Sequence, residues 1–398
     1  MLIALIGKPS SGKSSMFKAA TLAQVEIANF PFTTLQANTG MAYVNINCVD
    51  KEFNTQCNPR EGYCENHKRF IPFKLMDIPG LILGSHEGKG KGNEFLSNVQ
   101  EADALIHVVD ISGSTDENGT PVEPLSHDPL KDIEFIENEL DMWYFQILTK
   151  GWEKFSRTVQ QENQDIKKSL AKQLSGLKVT EEIVQDCIKE LKLLHHPTEW
   201  QEQDLKQLAK LLRQKTKKTI IAANKIDVEG SLMNLNKMKK QFPDHTIIPC
   251  SAESELALRE AAHEKLIKYL PGEEKFIINE ESKLNEKQKK ALNFINEKIL
   301  KTQKNTGVQQ ILNESIFSVL EYIAIFPGGI NKLEDSKGNI LPDCFLLPKD
   351  STALDFAYKL HTDIGDAFVK AIDVKTKQIV GKDHQLKNLD VVEIVTKK

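Results

Sequence analysis

The sequence predicts an α/β protein in which a P-loop NTPase domain is interrupted by an α-helical insertion and followed by a small β-grasp domain. Three observations carry this prediction. A glycine-rich loop joins an apolar strand to a helical pattern near the N-terminus, apolar residues recur at helical spacing in residues 130–216, and strands surround one helix in residues 321–398. A chain of 398 residues is also long enough for two or three domains.

The composition is ordinary for a globular protein with a sizeable core, since hydrophobic residues make up 40% of the chain and charged residues 27%. No apolar run approaches the roughly 20 residues that span a bilayer, so we expect no membrane segment. The net charge of −4 gives no overall reason to expect nucleic-acid binding, and we expect no DNA contact. Six cysteines without a basic N-terminal leader predict reduced thiols and a cytoplasmic location.

The loop GKPSSGKS, residues 7–14, follows an apolar strand and precedes a helical pattern. Such a loop turns backbone N–H groups around phosphate oxygens, and the helix N-terminus adds partial positive charge. Lys13 is predicted to reach the β- and γ-phosphates of a nucleotide and to be catalytic, and Ser14 is predicted to bind Mg²⁺. The predicted phosphate-binding residues are Pro9, Ser10, Ser11, Gly12, Lys13, Ser14 and Ser15.

Two further segments are typical of the γ-phosphate end of a GTPase site. The segment NFPFTT, residues 29–34, can offer a threonine hydroxyl to Mg²⁺ when the γ-phosphate is bound, and we favour Thr34 over Thr33. The next is DIPG, which follows an apolar strand. Its Asp77 is predicted to serve the Mg²⁺ ion, and its Gly80 is predicted to contact the third phosphate and to be catalytic.

The motif NKID, residues 224–227, ends another apolar strand and predicts guanine specificity. The Asp227 carboxylate can accept hydrogen bonds from guanine N1–H and the 2-amino group, donors that adenine does not arrange in this way. The Lys225 stem can lie over the base, and Asn224 completes the motif. After a later strand, Ser251-Ala252 is predicted to present backbone N–H groups to the guanine oxygen. Ligands of open α/β sheets bind at the carboxyl ends of the strands, where all these motifs fall.

These motifs, together with DIPGLILGSHEGKGKGNEFL (residues 77–96) and EADALIHVVDISGS (residues 101–114), resemble the Obg-related branch of translation-factor-class GTPases, and within it the archaeal YchF-type subgroup. The resemblance covers nearly the whole chain. It implies a switch that hydrolyses GTP to GDP with Mg²⁺ and is associated with the ribosome or ribosomal RNA.

Two departures from the family bear on the ligands. Many members carry Asn at the position of Ser10, where it helps to hold a potassium ion, so the serine leaves the use of K⁺ open. Some YchF-type relatives have lost the Asn-Lys-x-Asp pattern and prefer ATP. An ATPase is therefore the alternative, although the intact NKID motif favours GTP.

Leu81 stands where hydrolytic GTPases usually carry the Gln that orients the attacking water. Leucine can neither donate nor accept a hydrogen bond, so we expect slow intrinsic turnover, with the missing function supplied by a partner, a cation or the following segment. That segment, residues 84–93, contains four glycines. Its composition predicts either a loop that orders on binding or a surface linker. A nucleotide-gated binding module with negligible hydrolysis is a further alternative.

A cysteine-rich stretch precedes Asp77. Cys48, Cys57, Cys64 and His67 follow the spacing C-x8-C-x6-C-x2-H. Three thiolates and an imidazole can hold Zn²⁺ tetrahedrally, but this spacing lacks the tight Cys-x-x-Cys pair of many zinc sites. Zinc binding and free thiols in a hairpin insertion both stay open.

Residues 130–216 predict three or more helices whose apolar faces form a core, because they contain only two glycines and one proline. Thr198 with Gln201 forms a capping-box pattern before the last of these helices. Sixteen basic and 15 acidic residues between positions 130 and 218 indicate a solvated surface rather than an RNA-binding stripe. The apolar positions at helical spacing are Ile133, Ile136, Leu140, Trp143, Tyr144, Ile147, Ile166, Leu170, Leu174, Leu177, Leu205, Leu208, Leu211 and Leu212.

From position 321 onward the sequence pattern changes from helical spacing to short strands around one helix. The strands DCFLLP, AFVKAIDV and VVEIV flank one helix, for which Thr352 and Asp355 form a capping-box pattern. Residues 345–365 and the closing strands resemble a TGS domain, which implies contact with the ribosome, RNA or a protein regulator. Eleven lysines, no arginine and 12 acidic residues from position 321 onward leave a protein partner as plausible as RNA.

The predicted domain boundaries follow from these segments. Residues 1–129 and 217–275 are assigned to the two parts of the nucleotide-binding G domain, and residues 130–216 to the helical insertion. Residues 276–320 are assigned to a helical connector and residues 321–398 to the TGS-like β-grasp domain.

Overall fold

The computed structural model describes residues 1–22, 38–79, 92–194 and 196–397. They fall into two compact units. The described parts of Met1–Ala19, Leu35–Gly40 and Lys74–Ile311 form the first unit, and those of Ala20–Thr34, Met41–Phe73 and Leu312–Lys398 form the second.

The strands of the described residues are β1 (Leu2–Ile6), β2 (Thr39–Asn47), β3 (Tyr63–Glu65), β4 (Lys68–Asp77), β5 (Ala104–Asp110), β6 (Thr219–Asn224), β7 (Ile247–Cys250), β8 (Ile267–Lys268), β9 (Ile277–Ile278), β10 (Tyr322–Pro327), β11 (Phe345–Pro348), β12 (Phe368–Asp373), β13 (Gln378–Val380) and β14 (Val391–Thr396).

The helices are α1 (Lys13–Thr21), α2 (Gly92–Glu101), α3 (Leu130–Thr149), α4 (Trp152–Gln161), α5 (Ile166–Gln173), α6 (Glu181–Leu191), α7 (Glu202–Thr216), α8 (Ser231–Gln241), α9 (Ala252–His263), α10 (Glu286–Phe294), α11 (Lys301–Gln303), α12 (Val308–Glu314), α13 (Ala353–Leu360) and α14 (Thr362–Asp366). None of these helices is both long and apolar enough to cross a bilayer.

A parallel sheet organises the first unit. Its spatial order is β4, β1, β5, β6 and β7, with the C-terminal end of β4 taking part. Every residue of β5 is buried, as expected for a parallel strand covered on both faces. The register places Asn224 opposite both Asp110 and Cys250, and Asp77 ends β4 on the same side. The carboxyl ends of four strands therefore meet at one edge.

The helices of residues 130–216 share a core with this sheet. Leu140 and Tyr144 of α3 and Leu208 of α7 belong to the same buried cluster as Ala4 and Leu105 of the sheet. The apolar positions predicted from helical spacing are all buried or packed partly buried, which confirms that their faces form a core.

The two predicted capping boxes had different outcomes. The box of Thr352 and Asp355 is confirmed at α13, where each residue's side chain bonds the other's backbone N–H. The box of Thr198 and Gln201 is wrong. Thr198 lies in the 3₁₀ turn Pro197–Glu199, and the backbone N–H of Gln201 donates to Asp204 at 2.8 Å. Pro197 starts the turn, so α7 begins later than predicted.

The second unit contains a five-stranded mixed sheet in the order β11, β10, β14, β12, β13. Phe356 of α13 packs with Ile325 and Val392 in the core beneath this sheet, and β10 and β14 run parallel. This is the β-grasp architecture predicted from the sequence. The same unit contains the antiparallel hairpin of β3 and β4, which carries part of the cysteine-rich stretch.

Candidate functional site

The loop between β1 and α1 needs glycine at two positions, because a different neighbouring residue leaves no room for a Cβ at each. Gly7 has φ +148°, and a Cβ there would lie 2.4 Å from the carbonyl oxygen of Val108. Gly12 has φ +97°, and a Cβ there would lie 2.1 Å from the side-chain nitrogen of Asn224. Both backbone conformation and space therefore exclude a side chain. The loop can pass this close to β5 and β6 only because these two residues are glycines.

Lys13 and Ser14 lie where the loop enters α1. The Lys13 side chain is buried, and its Nζ donates to the Lys8 carbonyl oxygen at 2.8 Å. Burial lowers the pKa of Lys13 to about 8, while the Asp77 carboxylate acts in the opposite direction. The Ser14 hydroxyl donates to Asp77 Oδ2 at 2.9 Å. A cationic group and a hydroxyl–carboxylate pair thus face one edge of the sheet.

This pair fits a magnesium ion. Burial raises the pKa of the Asp77 carboxyl, against the Ser14 hydrogen bond and the Lys13 charge. Its other oxygen, Oδ1, is buried and has no hydrogen-bond partner among the described residues. Hydroxyl and carboxylate oxygens are the hard ligands that Mg²⁺ prefers. Thr34, the third predicted ligand, lies outside the described residues, as do Gly80, Leu81 and residues 84–91.

Asn224 joins the phosphate loop to the segments at the other end of the site. Its side-chain nitrogen donates to the Ser11 carbonyl oxygen at 2.8 Å, and its oxygen accepts from the Ala252 backbone N–H at 3.0 Å. One amide therefore connects three of the predicted motifs. Its role in the structure is to hold these loops together.

Lys225 and Asp227 follow Asn224 and lie beside the same cavity. Lys225 has φ +65°, and its Nζ donates to Asp110 Oδ2 at 2.8 Å and to the Ser114 hydroxyl at 3.2 Å. Both Lys225 and Asp227 line a cavity of about 440 Å³. The other lining residues are Ser10, Gly12, Lys13, Ser14, Ser15, Asn224 and Glu253. Residues predicted for the phosphates and for the base therefore face one cavity.

Ser251 and Ala252 differ from the prediction. The Ser251 N–H donates to the Thr306 carbonyl oxygen at 2.9 Å, and the Ala252 N–H donates to Asn224. Ser251 is buried and caps α9, where its hydroxyl accepts from the Ser254 N–H. Because both N–H groups have protein acceptors here, they position Asn224 and the start of α9 instead of pointing free donors at a base.

Four side chains near the loop were missed by the sequence analysis, namely Lys8, His127, Asp132 and Glu253. Lys8 is buried, with its Nζ 2.7 Å from the Thr115 carbonyl oxygen and 2.9 Å from Asp132 Oδ2. His127 Nε2 lies 2.8 Å from the other oxygen of Asp132. Glu253 lies in the cavity wall, 3.5 Å from the Ser15 hydroxyl. The local sequence does not mark Lys8 and Glu253, since their partners Asp132 and Ser15 are distant along the chain.

The cysteine-rich stretch forms a second candidate site. The side chains of Cys48, Cys57 and Cys64 lie together, as zinc binding would require. The fourth residue of the group is not His67, the predicted ligand. Asp50 is the residue whose oxygen lies among the sulfurs, and His67 Nδ1 is 2.9 Å from Asp50 Oδ1.

Three family models match the chain. A model described as 50S ribosome-binding GTPase matches residues 2–139. A model described as Obg-like GTPase YGR210-like, G4 motif-containing domain matches residues 222–328. A TGS domain model matches residues 336–396.

Several known proteins are similar over nearly the whole length. A GTP-binding protein of Methanocaldococcus jannaschii is 46% identical over 396 residues, which cover 99% of each chain. The crystal structure of a GTP-binding protein from Pyrococcus horikoshii OT3 is 35% identical, with a TM-score of 0.79 and 100% of both chains covered. The ribosome-binding ATPase YchF of Buchnera aphidicola is 26% identical over 371 residues, or 92% of this chain and 86% of its own.

Proposed function

This chain belongs to the Obg-like family of GTP-binding proteins, and we propose that it hydrolyses GTP to GDP and phosphate as a nucleotide-dependent switch. The observation that carries the proposal is the shared cavity, in which Asp227 faces the same space as Lys13 and Ser14. Family membership confirms the predicted resemblance to Obg-related and YchF-type proteins. The guanine preference, the rate and the site roles below are proposals.

The phosphate end of the cavity takes the triphosphate. Lys13 contacts the β- and γ-phosphates, and the N–H groups of residues 10–15 surround the phosphate oxygens, while Pro9, which has no N–H, lines the loop. Ser14, Asp77 and Thr34 hold Mg²⁺, which supplies positive charge to the phosphate oxygens when it is bound. Support for the first two ligands comes from their mutual hydrogen bond and from the unpaired Asp77 Oδ1. Gly80 contacts the third phosphate. The use of K⁺ beside Ser10 remains a prediction.

Asp227 selects the base. Its carboxylate accepts from guanine N1–H and the 2-amino group, so an adenine nucleotide leaves these acceptors unpaired. Asn224 positions Asp227 indirectly, because it fixes the start of the NKID segment to the phosphate loop. Lys225 is held at its tip by Asp110, which leaves its aliphatic stem to cover the base.

Intrinsic turnover is slow. Positioning and charge stabilisation are available from Lys13 and the loop, but Leu81 cannot orient the attacking water. The partner that supplies this function is the ribosome, ribosomal RNA or a protein regulator, in the cytoplasm. Support comes from the ribosome-binding description of the matched family model and of the Buchnera relative. The TGS domain is the proposed contact.

A second candidate is ATP hydrolysis, which the name of the Buchnera relative favours. Calorimetry with GTP, GDP and ATP in Mg²⁺ separates the two. We expect GTP to bind at least about 100-fold more tightly than ATP, since buried acceptors reject the analogue that lacks the donors. Tighter binding of ATP would replace the GTPase proposal with the ATPase.

A third candidate is a binding module with negligible hydrolysis, suggested by Leu81. Single-turnover assays with radiolabelled GTP, with and without purified ribosomes, decide this. We expect slow release of phosphate by the chain alone and a faster rate with ribosomes. Intact GTP under both conditions would contradict hydrolysis while leaving GTP binding standing.

The base-selecting role has its own test. Asp227→Asn should weaken GTP binding roughly 30- to 150-fold, by loss of about 2–3 kcal/mol of charged hydrogen bonding, without weakening ATP binding. Asp244→Asn, at an exposed carboxylate after α8, is the control and should bind GTP normally. Unchanged selectivity in Asp227→Asn would remove this role from Asp227.

The five domain boundaries also remain a proposal. Limited proteolysis of the whole chain tests the boundaries at residues 129, 216, 275 and 320. Because the helices of residues 130–216 share a buried core with the sheet, we expect cleavage near residues 275 and 320 before cleavage near 129 and 216, and the reverse order would contradict that shared core.

A further inference from the structure

The cysteine cluster, defined as Cys48, Asp50, Cys57 and Cys64, has the dimensions of a metal site. One ligand atom from each residue lies within 4.8 Å of all the others. The sulfur atoms of Cys48 and Cys57 are 3.5 Å apart, and the Cys64 sulfur is 3.7 Å from Asp50 Oδ2. The four atoms come from one short stretch of the second unit.

These distances match the edges of a tetrahedron around zinc. With Zn–S near ~2.3 Å and Zn–O near ~2.1 Å, two sulfurs lie roughly 3.8 Å apart and a sulfur lies roughly 3.6 Å from an oxygen. We propose that Cys48, Asp50, Cys57 and Cys64 bind one Zn²⁺ ion. Three thiolates and a carboxylate leave no open position, so the site is structural rather than catalytic.

Zinc is favoured over the other common cations by the donor set. Thiolates are soft ligands, whereas Mg²⁺ and Ca²⁺ require oxygen ligands in larger number. Three of the four residues are shielded from water, since Asp50 is 0% exposed, Cys48 4% and Cys57 5%, while Cys64 is half-buried. A buried carboxylate beside three sulfurs needs a compensating positive charge, which a divalent ion supplies.

Asp50 is oriented by neighbours outside the ligand set. Its Oδ2 accepts from the Cys57 backbone N–H at 2.9 Å, and its Oδ1 is 2.9 Å from His67 Nδ1. A carboxylate oxygen has two lone pairs, so Oδ2 can accept this bond and still bind a metal. His67 therefore acts as a positioning residue for Asp50, as ring nitrogens and carboxylates often do around metal ligands.

Arg69 supplies further positive charge. The residue is 1% exposed. Its guanidinium lies 3.5 Å from the Cys57 sulfur and donates to the carbonyl oxygens of Leu341 and Pro342. Four anionic ligands around a divalent ion leave a formal charge of minus two, of which Arg69 offsets one. The zinc site would thus stabilise the cysteine-rich stretch where it packs against Leu341 within the second unit.

The experiment measures zinc in the whole chain. The protein is loaded with Zn²⁺ under reducing conditions, dialysed and analysed by plasma mass spectrometry, and a parallel sample is loaded with Co²⁺. We expect one zinc per chain and, with cobalt, the intense near-ultraviolet absorption of thiolate-to-cobalt charge transfer. Cys57→Ser and Cys64→Ser should lose the zinc. Cys187→Ser, at a buried cysteine of α6 outside the cluster, should retain it.

The role of His67 has a separate outcome. His67→Ala should still bind one zinc, but with an affinity reduced 10- to 100-fold, as measured by competition with a chromophoric chelator. Complete loss of zinc in His67→Ala with retention in Asp50→Asn would restore His67 as the fourth ligand and contradict the assignment of Asp50.

Three results would overturn the zinc site. The first is a loaded wild-type chain without zinc and without the cobalt–thiolate absorption, a measurement that does not depend on whether any variant folds. The second is zinc retained in both Cys57→Ser and Cys64→Ser. The third is a disulfide between Cys48 and Cys57 in the protein as purified under anaerobic conditions, detected by mass spectrometry without reductant.

Discussion

The phosphate loop and the cysteine cluster are two polar sites of opposite character. The loop site offers donors: a lysine, helix N-terminal N–H groups and glycines that let the backbone approach closely. The cluster offers acceptors: three sulfurs and a carboxylate. The loop site is assembled from residues as distant as Gly12 and Asp227, whereas the cluster is assembled from one stretch between Cys48 and Cys64.

This difference shows two ways to prepare a buried charge site. An anion site built from backbone N–H groups depends on main-chain conformation, and its strict positions are glycines. A cation site built from side chains depends on rotamers and on neighbours such as His67 and Arg69, and its strict positions are the ligands. Variants should therefore fail for different reasons in the two regions.

The largest effect is expected from Lys13→Ala. Loss of the buried ammonium that we propose contacts two phosphates should remove about 4 kcal/mol, so GTP should bind roughly 1,000-fold more weakly. Titration with a fluorescent GTP analogue measures this. Lys18→Ala, on the exposed side of α1, is the control. If Lys13→Ala and Lys18→Ala bind GTP equally well, the phosphates do not bind at Lys13. Zinc content should be the same in Lys13→Ala as in the wild type.

Gly12→Ala tests whether the loop depends on its backbone. The change combines φ +97° with a Cβ 2.1 Å from the Asn224 side chain, and should lower the free energy of unfolding by about 3 kcal/mol. Gly151→Ala is the matched control, since φ is +74° there but no atom lies within 4 Å of the added Cβ. It should cost only about 1 kcal/mol. Equal losses in urea unfolding would mean that Asn224 does not require the close approach.

Arg69→Met tests whether the cysteine cluster depends on its buried neighbours. It leaves the Leu341 and Pro342 carbonyl groups without their buried donor, and should lower the stability by about 2 kcal/mol. Arg60→Met removes an exposed ion pair with Asp343 in the same unit and should change stability by less than about 0.5 kcal/mol. Thermal unfolding of both variants gives the comparison. If Arg60→Met lowers the stability as much as Arg69→Met does, the cluster does not depend on its buried neighbours.

The smallest effect concerns Glu137, a half-buried carboxylate that belongs to neither site and serves as a reference for a charge stabilised by protein partners. Burial acts to raise its pKa, but the hydrogen bond with His245 and the charge of Arg213 outweigh burial and lower it from 4.5 to about 2. A lowered folded-state pKa contributes stability that is present above pH 4.5 and is lost as the pH falls toward 2.

Glu137→Gln should therefore lose about 1–2 kcal/mol at pH 7 and less than half of that at pH 3. Denaturant unfolding at the two pH values measures the difference. A penalty that stays constant with pH would assign the effect to lost packing rather than to charge.

The parts predicted well from sequence were those that depend on local backbone geometry. The strand, glycine loop and helix of residues 2–21 occupy consecutive positions, and the NKID segment follows a buried strand as expected. Parallel strands bring their carboxyl ends to one edge, so the shared cavity followed from the order of the motifs. The helical core of residues 130–216 followed from apolar periodicity.

The parts predicted poorly depend on contacts between distant elements. The fourth member of the cysteine cluster is Asp50 because the hairpin turns His67 onto the carboxylate instead of among the sulfurs. The sequence favoured His67 over Asp50 because imidazole is a commoner zinc ligand than carboxylate. The N–H groups of Ser251 and Ala252 were predicted to face the guanine oxygen, and in this structure the Thr306 carbonyl oxygen and the Asn224 side-chain oxygen accept their hydrogen bonds.

The amino-acid sequence by itself determined the fold class, the phosphate loop, the NKID segment and the thiols that are available, because each is a local pattern of backbone conformation or residue chemistry. Only the tertiary structure decided that Asn224 bridges three loops, that Lys225 pairs with Asp110 and that Asp50 lies among the sulfurs. The physical reason is that a side chain bonds to the polar group nearest in space, and strand register and packing set that distance.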